Sequence, residues 1–207
     1  MADRESARER ILEAACDLIA AEGIDDVRIA RVAMRAGAST ALVHHYFSTR
    51  EELLEQALLH SFEMVGDERF AAETGGESPD PTAALAEAIE ECLPRPGRLE
   101  RDWVLWVELW LRAAREPDLR PLAARLYARY HEWLEDVLKR GIEAGEFTAP
   151  DDLPALTDRT MALLDGLGLR ALLRDPTMEI DAARAEVADF LAPQLGIDPA
   201  ALLTQPA

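Results

Sequence analysis

Apolar side chains recur at helical spacing along most of the chain. Gly23 ends the first such run, whose apolar positions share one helical face: Ile11, Leu12, Ala15, Leu18 and Ile19. Segments rich in proline and glycine, such as 74–81 and 145–150, separate the later runs. The pattern predicts helices near 5–22, 29–36, 40–46, 50–72, 81–93, 98–115, 119–144, 152–173 and 180–194.

Composition favours an all-α fold with a buried core. The chain has 207 residues, of which 49% are hydrophobic. Alanine occurs 36 times and leucine 30 times, whereas valine, isoleucine and threonine together occur only 25 times. Because helices favour the first two residues and strands the other three, an extensive sheet is not expected.

The sequence also limits location and cofactor chemistry. No apolar run approaches the roughly 20 residues that a membrane span needs, and the charged N-terminus is unlike a secretory signal. Cys16 and Cys92 stand alone, without the spacing of a disulfide framework or a zinc site. We therefore expect a reduced, cytoplasmic protein with no metal and no cofactor.

The negative charge is unevenly distributed. The net charge is −18, but residues 27–50 contain no aspartate or glutamate and hold four arginines and two histidines. A short acid-free segment on an otherwise acidic chain is typical of a nucleic-acid-binding surface, since the acidic remainder repels polyanions. Chance within a short window is the alternative explanation.

The same segment has the pattern of a helix-turn-helix. Two short helical runs flank Gly37-Ala38-Ser39, where glycine suits a left-handed turn and Ser39 can cap the second helix. Val43 and Phe47 can hold that helix to the core, and the residues left outward are Thr40, Ala41, His44 and His45. Arg28 and Arg50 could meet phosphates. An ordinary helical hairpin is the alternative.

Motifs around this hairpin extend the argument: Arg10-Ile-Leu-x-Ala14-Ala15-x-x-Leu18, then Gly23, Val32-Ala33, Ala36-Gly37-Ala38-Ser39, and His45-Tyr46-Phe47-Ser48-x-Arg50-x-x-Leu53-Leu54. With them, residues 8–60 resemble the N-terminal domain of the TetR family of transcriptional repressors. The resemblance implies a three-helix DNA-binding domain over residues 1–49, whose DNA-binding residues are Arg28, Ser39, Thr40, Ala41, His44, His45, Tyr46 and Arg50. Arg28 stands where the family usually has threonine, and His44 where it has tyrosine.

The later part carries Trp106-x-Glu108-Leu-Trp110, Ala113-x-Arg115-x-Pro117-x-Leu119, Gly141-x-x-x-Gly145-x-Phe147 and Asp165-Gly166-Leu167. It resembles the C-terminal domain of the BetI-like branch, which implies a ligand-binding and dimerisation domain over residues 50–207. Apolar stripes on the last two helices predict a homodimer interface of Leu156, Thr160, Leu163, Leu164, Leu167, Ala171, Val187, Phe190 and Leu191. Packing into the subunit's own core is the alternative.

Three of the four tryptophans lie on one face of the sixth predicted helix. Trp103, Trp106 and Trp110 are spaced i, i+3, i+7, which fits either core packing or an aromatic wall of a ligand cavity. The predicted ligand-binding set is Phe62, these three tryptophans and Asp165. Tryptophan faces attract cations, so a cationic effector with Asp165 as its counter-charge is one hypothesis, and a lipophilic effector is the other. Glu108 projects away from the tryptophan face and is a weaker candidate.

These observations predict a homodimeric DNA-binding regulator, a repressor that a small effector releases from a palindromic operator. An enzyme on a helical bundle is one rival, but the sequence has no nucleophile motif, metal spacing or phosphate loop, so no catalytic residue is predicted. A helical adaptor that binds only protein is the other rival.

Overall fold

The computed structural model describes residues 2–61 and 80–203. Within these ranges it contains nine α-helices and no strand. The helices are α1 (Ala2–Glu22), α2 (Ile29–Arg35), α3 (Thr40–Tyr46), α4 (50–61), α5 (Pro81–Glu91), α6 (Arg98–Arg115), α7 (Arg120–Glu143), α8 (Leu153–Leu172) and α9 (Ile180–Leu195). The all-α prediction is confirmed. The predicted continuation of α4 over 62–72, and with it Phe62, lies outside the described residues.

Helices α3 and α4 begin at hydroxyl side chains that accept hydrogen bonds from their first turns. The Ser39 hydroxyl accepts a hydrogen bond from the Leu42 N–H at the start of α3. Before α4, the Thr49 hydroxyl accepts a hydrogen bond from the Glu52 N–H, and the Glu52 carboxylate accepts one from the Ser48 N–H.

The chain divides into two compact units, and the first comprises Met1–Arg69 and Val104–Ala123. In its N-terminal part α1 packs on α2 and α2 on α3. Val32, Val43 and Phe47 are buried there together with the α1 positions that the helical pattern selected: Ile11, Leu12, Ala15, Leu18 and Ile19. This unit extends beyond the predicted domain 1–49, which stays a prediction because compactness does not define a functional boundary.

The second unit comprises Phe70–Trp103 and Ala124–Ala207. Its core draws on α5, α7, α8 and α9 and also encloses Phe147. Six of the nine residues predicted for a dimer interface are buried inside this unit: Leu156, Thr160, Leu164, Leu167, Val187 and Leu191. These six pack against their own subunit because the apolar stripes of α8 and α9 face its core. Leu163, Ala171 and Phe190 are half-buried.

No helix in the ranges that the structure describes is both long enough and apolar enough to cross a membrane.

Two glycines of α8 have opposite surroundings. A Cβ atom built on Gly168 would lie 2.3 Å from a ring carbon of Trp103, so the indole needs the glycine. A Cβ atom on Gly166 would have no described atom within 4 Å. Gly166 is exposed on the face of α8 that its own subunit leaves uncovered.

We therefore expect Gly168→Ala to lower the free energy of unfolding by about 1–3 kcal/mol, because the indole must shift in a packed core. The matched variant Gly166→Ala should be neutral or stabilise by up to about 1 kcal/mol through helix propensity. Urea denaturation followed by circular dichroism measures both. Equal stability of the two variants would contradict the packing of Trp103 on α8.

Candidate nucleic-acid interface and effector site

The exposed face of α3 is the candidate surface for nucleic acid. Thr40, Ala41, His44 and His45 are all exposed, as the helical pattern predicted. Val43, which is fully buried, fixes the opposite side of the helix. A helix anchored by its apolar side and open on its polar side can enter a major groove.

The turn before α3 orients the helix. Gly37 adopts φ 63°, in the left-handed region that favours glycine. The Ser39 Oγ atom lies 3.1 Å from the Leu42 nitrogen and accepts its hydrogen bond, so the hydroxyl proton is available to another acceptor. Tyr46 is half-buried, and its ring meets that of His45 edge-on at 5.2 Å between centroids.

Arg50, at the start of α4, is held by the turn that precedes α2. Its guanidinium donates to the carbonyl oxygens of Ile24, Asp25 and Val27 at 2.5, 3.0 and 2.7 Å. Arg28 donates to the Asp25 carbonyl at 2.7 Å. The two arginines predicted to contact phosphate thus have donors engaged within the chain. For Arg50 these donors are Nε and Nη2, while Nη1 lies 3.5 Å from a Glu51 carboxylate oxygen.

The other two arginines of the acid-free segment pair with acids of α1. Arg35 donates through Nε and Nη2 to one Asp17 carboxylate oxygen at 3.1 and 2.7 Å, and Arg31 forms a two-point ion pair with Glu22. The segment is therefore not a free cationic face. Exposed ion pairs contribute only about 0–1 kcal/mol, so a DNA phosphate can replace the carboxylate at little cost.

Glu108 lies near the short 3₁₀ turn Ile24–Asp26, on the side of α6 away from the tryptophan face. Burial raises the pKa of Glu108, and the neighbouring Asp25 carboxylate raises it further, while Arg112 and the Ile24 N–H lower it. Glu108 and this turn belong to the same compact unit.

The three tryptophans of α6 have different described neighbours. Trp106 and Trp110 belong to the first unit, where their rings stack at 5.6 Å between centroids. Trp103 belongs to the second unit, where its indole N–H donates to the Cys92 carbonyl oxygen at 3.2 Å and its ring packs on Gly168. The core-packing alternative therefore describes Trp103, which is 6% exposed.

Asp165 is a carboxylate in poorly solvated surroundings. The Tyr127 hydroxyl donates to its Oδ2 atom at 2.5 Å. Burial raises the pKa of Asp165, and the Tyr127 hydrogen bond only partly offsets this. Burial and the same hydrogen bond raise the pKa of Tyr127. Neither of these two influences on the pKa of Asp165 is a positive charge.

A small cleft of about 140 Å³ opens in the first unit. Of the predicted ligand-binding residues that the structure describes, none lines it; its walls are Glu51, Glu55, Leu58, Leu109, Arg112, Glu116, Leu119 and Leu122. This volume is below the roughly 300 Å³ at which small-molecule sites begin.

Comparison with known proteins decides the family. The description "BetI-type transcriptional repressor, C-terminal" matches residues 81–196, which is more than half of the chain. "Bacterial regulatory proteins, tetR family" matches residues 11–57, the part that holds α2 and α3. The chain belongs to the tetR family of transcriptional regulators, in its BetI-type branch. The resemblance drawn from the sequence motifs is confirmed, and the family is one of DNA-binding regulators rather than enzymes.

Relatives share this organisation over nearly their whole length. The HTH-type transcriptional regulator BetI of Brucella anthropi is 28% identical over 188 residues, covering 91% of this chain and 93% of the relative. BetI of Rhizobium meliloti is 26% identical over 185 residues, covering 89% and 87%. The tetR-family assignment thus rests on both ends of the chain.

Solved structures of the family have the same fold. A transcriptional regulator from Saccharomonospora viridis, determined in complex with choline, aligns with a TM-score of 0.80 at 30% identity and covers 92% of this chain and 98% of its own. A TetR transcription regulator from Haloarcula marismortui aligns at 0.77 with 27% identity, covering 94% and 100%.

Proposed function

We propose that this chain is a dimeric repressor that reads a palindromic operator with α3 and is released by a small cationic effector. The observation that carries the proposal is the exposed polar face of α3 on a helix-turn-helix whose entry turn is held by Arg50. Such a protein acts where DNA is accessible, which for a bacterial-type regulator is the cytoplasm.

In the proposed complex the exposed α3 residues reach base edges in the major groove. His44 and His45 can donate or accept hydrogen bonds there, and Thr40 and Ala41 can meet apolar groups of the bases. Ser39, Tyr46, Arg28 and the outer Nη1 of Arg50 would contact phosphates, which positions the helix without reading sequence. Arg31 and Arg35 would exchange their α1 carboxylates for phosphates.

A two-fold dimer fits this reading because a palindrome repeats its half-site. The uncovered face of α8 is the proposed contact, since Leu173 is 72% exposed there and the open Gly166 allows another helix to approach closely. Leu163, Ala171 and Phe190 remain in the proposed interface from the predicted set. Two helices from each subunit would form a four-helix interface.

The proposed effector is a quaternary ammonium compound bound near Asp165. The Saccharomonospora regulator with choline supports this class of ligand. The half-buried carboxylate supplies a counter-charge without a competing cation among its described neighbours, and tyrosine and tryptophan rings attract ammonium groups. Release requires the effector to bind the DNA-free conformation more tightly than the DNA-bound one.

We expect two substitutions in the helix-turn-helix to change DNA binding in different ways. His45→Ala should lower the preference for the cognate site by about 1–3 kcal/mol, because a base contact is lost. Arg35→Ala should weaken binding to all sequences and reduce the salt slope by about one unit. His131→Ala, on α7, is the matched histidine control. Fluorescence anisotropy with the protein's own upstream DNA measures these values, and unchanged affinity in both helix-turn-helix variants would refute the assignment.

The dimer proposal predicts that Gly166→Glu separates the subunits without unfolding them. The new glutamate side chain has open space in its own subunit. In the proposed interface it would be an unpaired charge, which costs roughly several kcal/mol of dimerisation free energy. Sedimentation velocity should show a monomer with wild-type helicity. Leu167→Glu would not serve, because Leu167 lies in the subunit core. An intact Gly166→Glu dimer would place the contact on another face.

If Asp165 binds the effector's charge, Asp165→Asn should lose stabilisation by the effector but gain stability without it. Choline and tetramethylammonium should raise the melting temperature of the wild type but no longer that of the variant. The ligand-free variant should be more stable than the wild type at neutral pH, because the raised pKa of Asp165 means that the ionised carboxylate destabilises the folded state. This advantage should vanish as the pH falls through that pKa and the wild-type carboxylate becomes protonated.

Asp158→Asn, at an exposed position of the same helix, is the control. The uncharged tert-butyl analogue of choline tests the role of charge. If that analogue stabilises the wild type as much as choline does, Asp165 is not a counter-charge.

A further inference from the structure

Two carboxylates in the C-terminal part of α1 hold two arginines of α2. Asp17 accepts hydrogen bonds from Nε and Nη2 of Arg35 at 3.1 and 2.7 Å. Glu22 accepts from both terminal nitrogens of Arg31, one at each carboxylate oxygen. Because the two arginines are four residues apart, they lie on the same side of α2. The carboxylates of α1 therefore occupy the donors of one side of the acid-free segment.

Both ion pairs are open to solvent. The side chains of Arg31 and Arg35 are 46% and 52% exposed, and those of Glu22 and Asp17 are 29% and 32% exposed. A phosphate group can thus approach either guanidinium. A carboxylate and a phosphate bind a guanidinium through the same fork of N–H donors. Each arginine must therefore release donors from its carboxylate before it can bind a phosphate with its whole fork.

The stability of α1 does not require these acids. Glu22 is the last residue of the helix, and the last turn contains no basic residue. The carbonyl groups at a helix C-terminus disfavour a negative charge close to them, and exposed ion pairs contribute little to folding stability. Replacement of either acid by alanine should therefore leave α1 folded.

We propose that Asp17 and Glu22 lower the affinity for DNA, because they compete with DNA phosphates for Arg35 and Arg31. The inference rests on the proposed binding of DNA by the helix-turn-helix. The two acids act through the arginines and touch no base or phosphate. Their removal should tighten DNA binding. A purely structural role predicts the opposite sign, because the loss of a contact that orients α2 would weaken binding.

The test compares the wild type with Asp17→Ala and with the double variant Asp17→Ala/Glu22→Ala. Glu9→Ala is the matched control, because it removes the same charge from an exposed position of the same helix. Fluorescence anisotropy at one fixed salt concentration measures binding to the protein's own upstream DNA and to a scrambled duplex of equal length. Circular dichroism confirms that each variant is folded, and Asp17→Asn replaces Asp17→Ala if the alanine variant is not.

We expect Asp17→Ala to bind both duplexes up to about fivefold more tightly, which corresponds to the upper value of an exposed ion pair. The double variant should gain roughly the product of two such factors. Glu9→Ala should stay within about twofold of the wild type, because salt screens a charge that acts only at a distance.

A double-mutant cycle shows whether Asp17 acts through Arg35. In the Arg35→Ala background, Asp17→Ala should tighten binding no more than Glu9→Ala does. Three results would overturn the inference: unchanged or weaker binding by a folded Asp17 variant, a gain no larger than that of Glu9→Ala, or an equal gain with and without Arg35. A wild type that does not prefer its upstream DNA to the scrambled duplex would instead overturn the proposed function.

Discussion

The side chain of Arg50 places a cation against the carbonyls of Ile24, Asp25 and Val27. Hydrogen bonds from a charged donor contribute about 1.5–3 kcal/mol each and are directional. They join the start of α4 to the segment before α2, so both ends of the α2–α3 pair are fixed. These bonds help to hold the exposed histidines of α3 in the orientation that the structure shows.

The arginines of the helix-turn-helix segment already have partners within the chain. Arg31 and Arg35 are paired with α1 carboxylates, and Arg28 with a backbone carbonyl. On a chain of net charge −18, this arrangement suppresses general attraction to polyanions. In the proposed complex, a phosphate in the right geometry would replace the internal partners, which would favour specific over non-specific binding.

Periodicity and capping signals located the helices and the outward face of α3, since both are local properties of the sequence. The apolar stripes of α8 and α9 were identified correctly, but six of the residues predicted for an interface face the subunit core. An apolar stripe indicates that one face of a helix is buried. It does not indicate whether the same subunit or a second subunit buries that face. The hydrogen bonds of Arg50 could not be predicted from the sequence, because their acceptors are backbone carbonyls 23 to 26 positions away. The helical angle of Glu108 excluded the tryptophan face, but gave no sign that the Asp25 carboxylate lies close enough to raise its pKa.

Hydroxyl-radical footprinting of the protein on its own upstream DNA tests most directly whether a paired helix-turn-helix reads a palindrome. The account predicts two protected windows on one face of the duplex, with centres about 10 base pairs apart or a multiple of this. The windows should be related by two-fold symmetry in sequence. A single window, or uniform protection without boundaries, would contradict a dimer that reads DNA through α3.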